Sequence, residues 1–176
     1  LRVGIQGYQV PDEERKDANL VFVIDVSGSM DMDNRLGLVK RSLELLVEQL
    51  DYRDTVSIVV YGTEALVVLE PTSGSDKDAI LSAIYSLHPE GVTNAEAGIR
   101  LGYRMAMREF KPDGINRVIL CSDGVANMGN TESEVILSEI RGHVEEGVTM
   151  TTIGFGMDNY NDTLMEQLAD NGDGFY

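Results

Sequence analysis

Asp25-Val26-Ser27-Gly28-Ser29 sets a carboxylate and two hydroxyls at alternate positions around a glycine, directly after the apolar run Asn19 to Ile24. Two further segments carry oxygen side chains. Thr93 lies in Gly91-Val-Thr-Asn-Ala-Glu-Ala-Gly98, and Asp123 in Cys121-Ser-Asp-Gly124. Oxygen donors gathered in this way suit a hard cation. Mg²⁺ or Mn²⁺, octahedral and keeping several waters, fits two carboxylates and three hydroxyls better than Ca²⁺, which takes more carboxylates. The absence of His and Cys from the set disfavours zinc.

These loops need a scaffold that brings strand ends together. Asn19 to Ile24 is rich in Val, Ile and Phe, as expected of a buried strand in a parallel sheet, whose C-terminal end is where open α/β sheets place ligands. From Arg35 to Leu50, Leu36, Val39, Leu43, Leu46, Val47 and Leu50 keep the period of a one-faced helix following that strand directly. Thr55 to Tyr61 and Ala65 to Leu69 are separated only by Gly62-Thr63-Glu64, which predicts an antiparallel hairpin, with Pro71 to Asp76 as a loop after it. Helices are expected over Asp78 to Leu87, capped by Ser75 or Asp76, and over Asn94 to Phe110, with Ala97, Leu101, Met105 and Ala106 inward. Arg117 to Cys121 is a second apolar strand. Thr131 and Glu134 form a capping box for a helix to Glu146, followed by a strand from Val148 to Phe155 and a helix from Asn161 to Ala169.

The alternation predicts an α/β fold: a doubly wound, mostly parallel sheet with one antiparallel edge strand and helices on both faces. Residues 1–18 read as an N-terminal extension and linker, and 19–176 as one domain. Phe175 and Tyr176 read as the start of another strand, so the last strand and helix of such a sheet are expected beyond them.

The 176 residues, 43% of them apolar, suit a single core, and a formal charge of −16 repels nucleic acid and anionic membranes while concentrating cations. No run is long and apolar enough to span a bilayer. The lone Cys121 allows no internal disulfide and reads as an inert buried thiol, while neither His88 nor His143 has a paired acid or nucleophile at an evident spacing along the chain. There is no phosphate loop and no nucleophile elbow, and Gly154-x-Gly156 lacks the third glycine of a dinucleotide fingerprint. An EF-hand fails too, because Met30 stands at its glycine position and Leu36 at its bidentate glutamate. Singly, Ser29, Asp31, Asp33 and Thr93 could each be a helix cap. Three elements at three strand ends argue otherwise.

Asp25-x-Ser27-x-Ser29, Thr93 and Asp123, in this order and at these loops, resemble the von Willebrand factor A domain and its metal-ion-dependent adhesion site. The resemblance covers residues 19–176 and implies the Rossmann-like fold predicted above. It implies that Ser27 and Ser29 ligate an Mg²⁺ directly, joined by Thr93, with Asp25 and Asp123 acting through waters or hydrogen bonds. The open position would take an Asp or Glu carboxylate from a partner protein. The N-terminal segment together with Asp-Val-Ser-Gly-Ser-Met further resembles bacterial, membrane-associated members of the YfbK type, which implies an extracytoplasmic setting. Two other functions compete: a metal-dependent phosphoesterase with Asp25 as nucleophile, and a scaffold subunit of an ATP-driven metal-insertion or remodelling complex. The first is weakened by Ser27, where such phosphatases want a second Asp.

Overall fold

The computed structural model describes residues 11, 14–124, 130–156 and 162–176, the side chains of 130–133 and 162 apart. Strand β1, Ala18–Asp25, lies at the centre of a five-stranded sheet because nearly every residue in it can be buried. Its alternate side chains serve two separate cores. The remaining strands are β2 (Thr55–Tyr61), β3 (Ala65–Ser73), β4 (Ile115–Ser122) and β5 (Val148–Gly154), in the spatial order β3-β2-β1-β4-β5. β1 is parallel to β2 and β4, β4 is parallel to β5, and only the edge strand β3 runs backwards. This is the predicted sheet.

Among the described residues five helices cover it: α1 (Arg35–Gln49), α2 (Lys77–Ser86), α3 (Ala95–Arg108), α4 (Asn130–Glu145) and α5 (Asp162–Asn171). Phe22 and Ile24 of β1 pack with Leu36, Val39 and Leu43 of α1 and Ile80 and Ile84 of α2. Val21 and Val23 pack on the other face with Ile99 and Tyr103 of α3, Ile136 and Ile140 of α4, and Leu164 and Leu168 of α5. At the N-terminal edge of the sheet the buried Asp54 and Asn116 find partners within the protein, while Asn19 Oδ1 and Ser57 Oγ are buried without one among the described residues. Asp54 accepts from Arg15, Ala18 N and Asp51 N, and Asn116 bonds both N and O of Lys111. That edge is structural.

The structure departs from the sequence reading in four places. β3 continues through Pro71 to Ser73, where a loop was expected, because an edge strand can turn the missing N–H of proline away from the ladder. α1 does not follow β1 directly: a 3₁₀ segment, Gly28–Asn34, intervenes, held down by the fully buried Met30 and kinked where Asp33 and Asn34 adopt positive φ. Asp31 and Asp33 are exposed, and Asn34 rather than Ser29 or either aspartate is the N-cap residue of α1, without a side-chain cap bond. On α3, Met105 and Ala106 face inward, but Ala97 and Leu101 are only half-buried; the buried stripe runs through Ala95, Gly98, Ile99, Gly102 and Tyr103. Counting large apolar residues skips that stripe because glycines lie along it. A Cβ on Gly98 would lie 2.6 Å from the Tyr61 ring, and one on Gly102 would lie 2.4 Å from Val23, so the helix sits flush on β1 and β2. Finally, residues 172–175 run along β5 through Met150 N to Gly172 O and Thr152 N to Phe175 O, bonds of 2.8 and 2.9 Å, without forming a strand of their own.

Asp76 caps α2 by accepting from Ala79 N. The β-prone residues 3–10, the side chain of Thr131 in the expected capping box, and residue 161 lie outside the described residues.

Two outcomes test this packing. Gly98→Ala should lower stability to urea by about 1–2 kcal/mol, the overpacking outweighing the gain in helix propensity; an unchanged or higher midpoint would refute the flush contact. Burial pushes the Cys121 thiol up to about 12, so iodoacetamide at pH 8 should leave the folded protein unmodified and label it in urea.

Candidate metal centre

The parallel register aligns Asp25 with Tyr61 on β2, and on the other side Ser122 follows the Ile24–Cys121 pair. Asp25 is fully buried between them. Ser27 N donates to its Oδ1 at 2.8 Å, while Tyr61 OH at 3.2 Å and Ser122 Oγ at 2.8 Å donate to Oδ2. Both oxygens are thus engaged by the protein, and the carboxylate points inward. Desolvation raises its pKa, the bonds from Ser27 and Ser122 pull it down, and the charge of Asp123 raises it again. The Tyr61 phenol is driven well up, by burial first and then by Asp25.

With Asp25 turned in, Ser27 and Ser29 turn toward each other, their hydroxyls 3.1 Å apart. Two oxygens at right angles around an octahedral ion, with bonds of about 2.1 Å, lie about 3.0 Å apart, so this pair fits an edge of an Mg²⁺ or Mn²⁺ coordination sphere. The loop before α3 joins the same end of the sheet: Glu90 N donates to Val26 O at 2.5 Å and Gly28 N to Gly91 O at 3.3 Å. Gly91 is required there twice over, by its φ of +77° and by Thr63 Oγ1, which would lie 2.2 Å from a Cβ. Asn94, not Thr93, caps α3, its Oδ1 accepting from Ala97 N at 3.2 Å. The capping role considered for Thr93 is therefore already filled, and Thr93 stands half-buried in the loop tied to Val26 and Gly28.

Asp123 is buried one residue beyond Ser122. Arg35, the first residue of α1, donates from Nη1 to its Oδ2 at 2.5 Å, with both side chains under 8% exposed. The structure so brings Asp25, Ser27, Ser29 and Asp123 to one end of the sheet, with the Thr93 loop bonded alongside. Three contributors escaped the sequence reading. Tyr61 and Ser122 could have been found by counting register outward from Asp25, whereas Arg35 is 88 positions from its partner and carries no local signal. Among the described residues no group of three His, Cys, Asp or Glu side chains could hold a metal. His143 is accounted for structurally by its stack on Tyr103 at 4.4 Å.

A doubly wound sheet with hydroxyl-bearing loops converging at the C-terminal ends of its strands defines a class of ligand-binding α/β domains. The model of the von Willebrand factor type A domain matches residues 19–176, and the chain belongs to that family. It is 43% identical over 176 residues to the uncharacterized protein YfbK of Escherichia coli K12, covering 100% of this chain and 31% of that protein. The chain spans well under half the length of the curated relatives it matches. Its fold is similar to that of the conserved hypothetical protein BatB from Bacteroides thetaiotaomicron, with a TM-score of 0.72 at 22% identity over 90% of this chain and 88% of the other. The same TM-score and identity relate it to the manganese-loaded TRAP protein of Plasmodium vivax, over 88% and 63% of the two chains. Among the described residues no helix is long and apolar enough to cross a membrane.

The Asp25 environment has a direct consequence for stability. A buried carboxyl whose pKa is raised favours folding only while it is protonated, and its contribution is lost as the pH rises through the folded pKa. In metal-free buffer at pH 7, Asp25→Asn should therefore raise the melting temperature, with the advantage shrinking as the pH falls and wild-type Asp25 takes up its proton. A melting temperature lowered at pH 7 would contradict the electrostatic account.

Proposed function

We propose that this domain binds a partner protein through an Mg²⁺ or Mn²⁺ ion held at the loops around Asp25. The observation that carries the reading is the inward Asp25 beside the paired Ser27 and Ser29 hydroxyls. Ser27, Ser29 and Thr93 would ligate the ion directly, with Asp25 and Asp123 behind them through waters or hydrogen bonds. Few direct carboxylates leave the ion electron-poor; bound there, it would supply one open position for an Asp or Glu carboxylate of the partner. The chain's own contribution is to hold the hydroxyls and keep Asp25 away from the partner's carboxylate. On a protein of charge −16, such a bond also offsets the repulsion an acidic partner meets.

Around the ion, loop surfaces would select the partner. A hollow of about 330 Å³ lined by Val26, Val60, Thr63, Glu64, Leu66 and Glu90 borders the Asp25 loop, since Val26 lies between Asp25 and Ser27. A non-catalytic role agrees with the burial of Asp25, whose engaged oxygens are poorly placed to attack an ester. The resemblance to YfbK-type proteins supports an extracytoplasmic, membrane-associated or secreted setting.

Mg²⁺ or Mn²⁺ at a hundred times its Kd should stabilise the protein by about 2.7 kcal/mol, and EDTA, Ser27→Ala or Thr93→Ala should abolish or sharply reduce that gain together with capture of an acidic-motif partner. If all three leave melting temperature and capture unchanged, the metal-dependent reading is wrong. Steady phosphate release from a generic ester, lost in Asp25→Asn, would instead establish the enzyme.

A further inference from the structure

The Arg35 guanidinium is buried against Asp123. It is 6% exposed, its Nη1 donates to Asp123 Oδ2, and its Nε is buried with no hydrogen-bond partner among the described residues. Behind it lies Gly156 at a φ of +138°, where a Cβ would come within 3.0 Å of Nε and 3.2 Å of Cζ. A cation with an unsatisfied N–H and a backbone wall against it is costly to bury, and Asp123 supplies the compensating charge.

This pairing acts on Asp123 in two ways. One carboxylate oxygen accepts from Arg35, which makes it a poorer donor to an ion and disfavours a bidentate approach by Asp123. Its negative charge is also matched by the adjacent guanidinium, which reduces what it can contribute to a neighbouring cation. Ca²⁺ gains most from extra and bidentate carboxylates and tolerates seven or eight oxygens, whereas Mg²⁺ needs six in strict geometry and retains its waters.

We propose that Arg35 is a positioning residue that sets the ion selectivity of this site, holding Asp123 back from direct coordination and so favouring Mg²⁺ and Mn²⁺ over Ca²⁺. The inference rests on the metal-binding reading above, and the experiment separates the two. Isothermal titration of the metal-free chain with MgCl₂, MnCl₂ and CaCl₂ gives the ratio of the Ca²⁺ to the Mg²⁺ Kd for wild type, Arg35→Gln, Arg35→Lys and the pair Arg35→Gln with Asp123→Asn.

Freed from its clamp in Arg35→Gln, Asp123 should lower that ratio on the order of tenfold, the lower end of what outer-sphere changes at metal sites produce. Arg35→Lys, a mobile point charge in place of a fixed fork, should lower it by a smaller factor and carries the test if the glutamine variant does not fold. With Asp123→Asn added, the ratio should return toward the wild-type value. A ratio unchanged in both single variants, with only the melting temperature reduced, would make Arg35 a purely structural residue and overturn the proposal. No binding of any of the three ions by the wild type would overturn the metal-site reading itself.

Discussion

The Asp25 carboxylate ties the ends of the three central strands into one object. It takes a hydrogen bond from the β2 terminus through Tyr61, another from the β4 terminus through Ser122, and a third from the backbone of its own loop at Ser27. An unpartnered carboxylate in this position would cost several kcal/mol, so the three donors are conditions for burying the acid at all. Once they are met, the direction of the loop after β1 is set. Ser27 and Ser29 are placed by a residue that itself faces away from solvent.

The same economy of charge runs through the surroundings. Asp123 raises the pKa of Asp25 and is itself paired with Arg35, so the C-terminal edge holds two buried acids and one buried base. At the opposite edge, Asp54 and Asn116 find all their partners in the chain, and their burial closes the sheet without offering chemistry. Both edges contain buried polar groups. They differ in that Ser29 and Thr93 stand only half-buried beside the acid at one edge, next to the buried Ser27.

Most of this fold was legible along the chain because its signals are local. Val, Ile and Phe runs mark the strands, Gly62-Thr63-Glu64 marks the hairpin, and the Leu36-to-Leu50 period marks α1. The errors fell where a long-range contact overrides a local cue. Pro71 reads as a loop until its strand is known to lie at an edge, and Ala97 and Leu101 read as the inward face of α3 until β1 and β2 are known to press against Gly98 and Gly102. The Asp-x-Ser-x-Ser loop was visible for the same reason, being contiguous. Tyr61 and Ser122 emerge only from strand register, and Arg35 only from the folded packing of α1 against the β4 loop.

The central place of β1 has a mechanical side. The loop carrying Ser27 and Ser29 is the direct continuation of a strand hydrogen-bonded on both flanks, along nearly its whole length, to parallel neighbours. Tension applied at that loop and drawn along the strand would load both ladders in shear, sharing the force across many bonds together instead of opening them one after another. A tether attached there pulls on the best-anchored element of the domain, while the hairpin edge at β3, paired on one side only, stays out of the line of load.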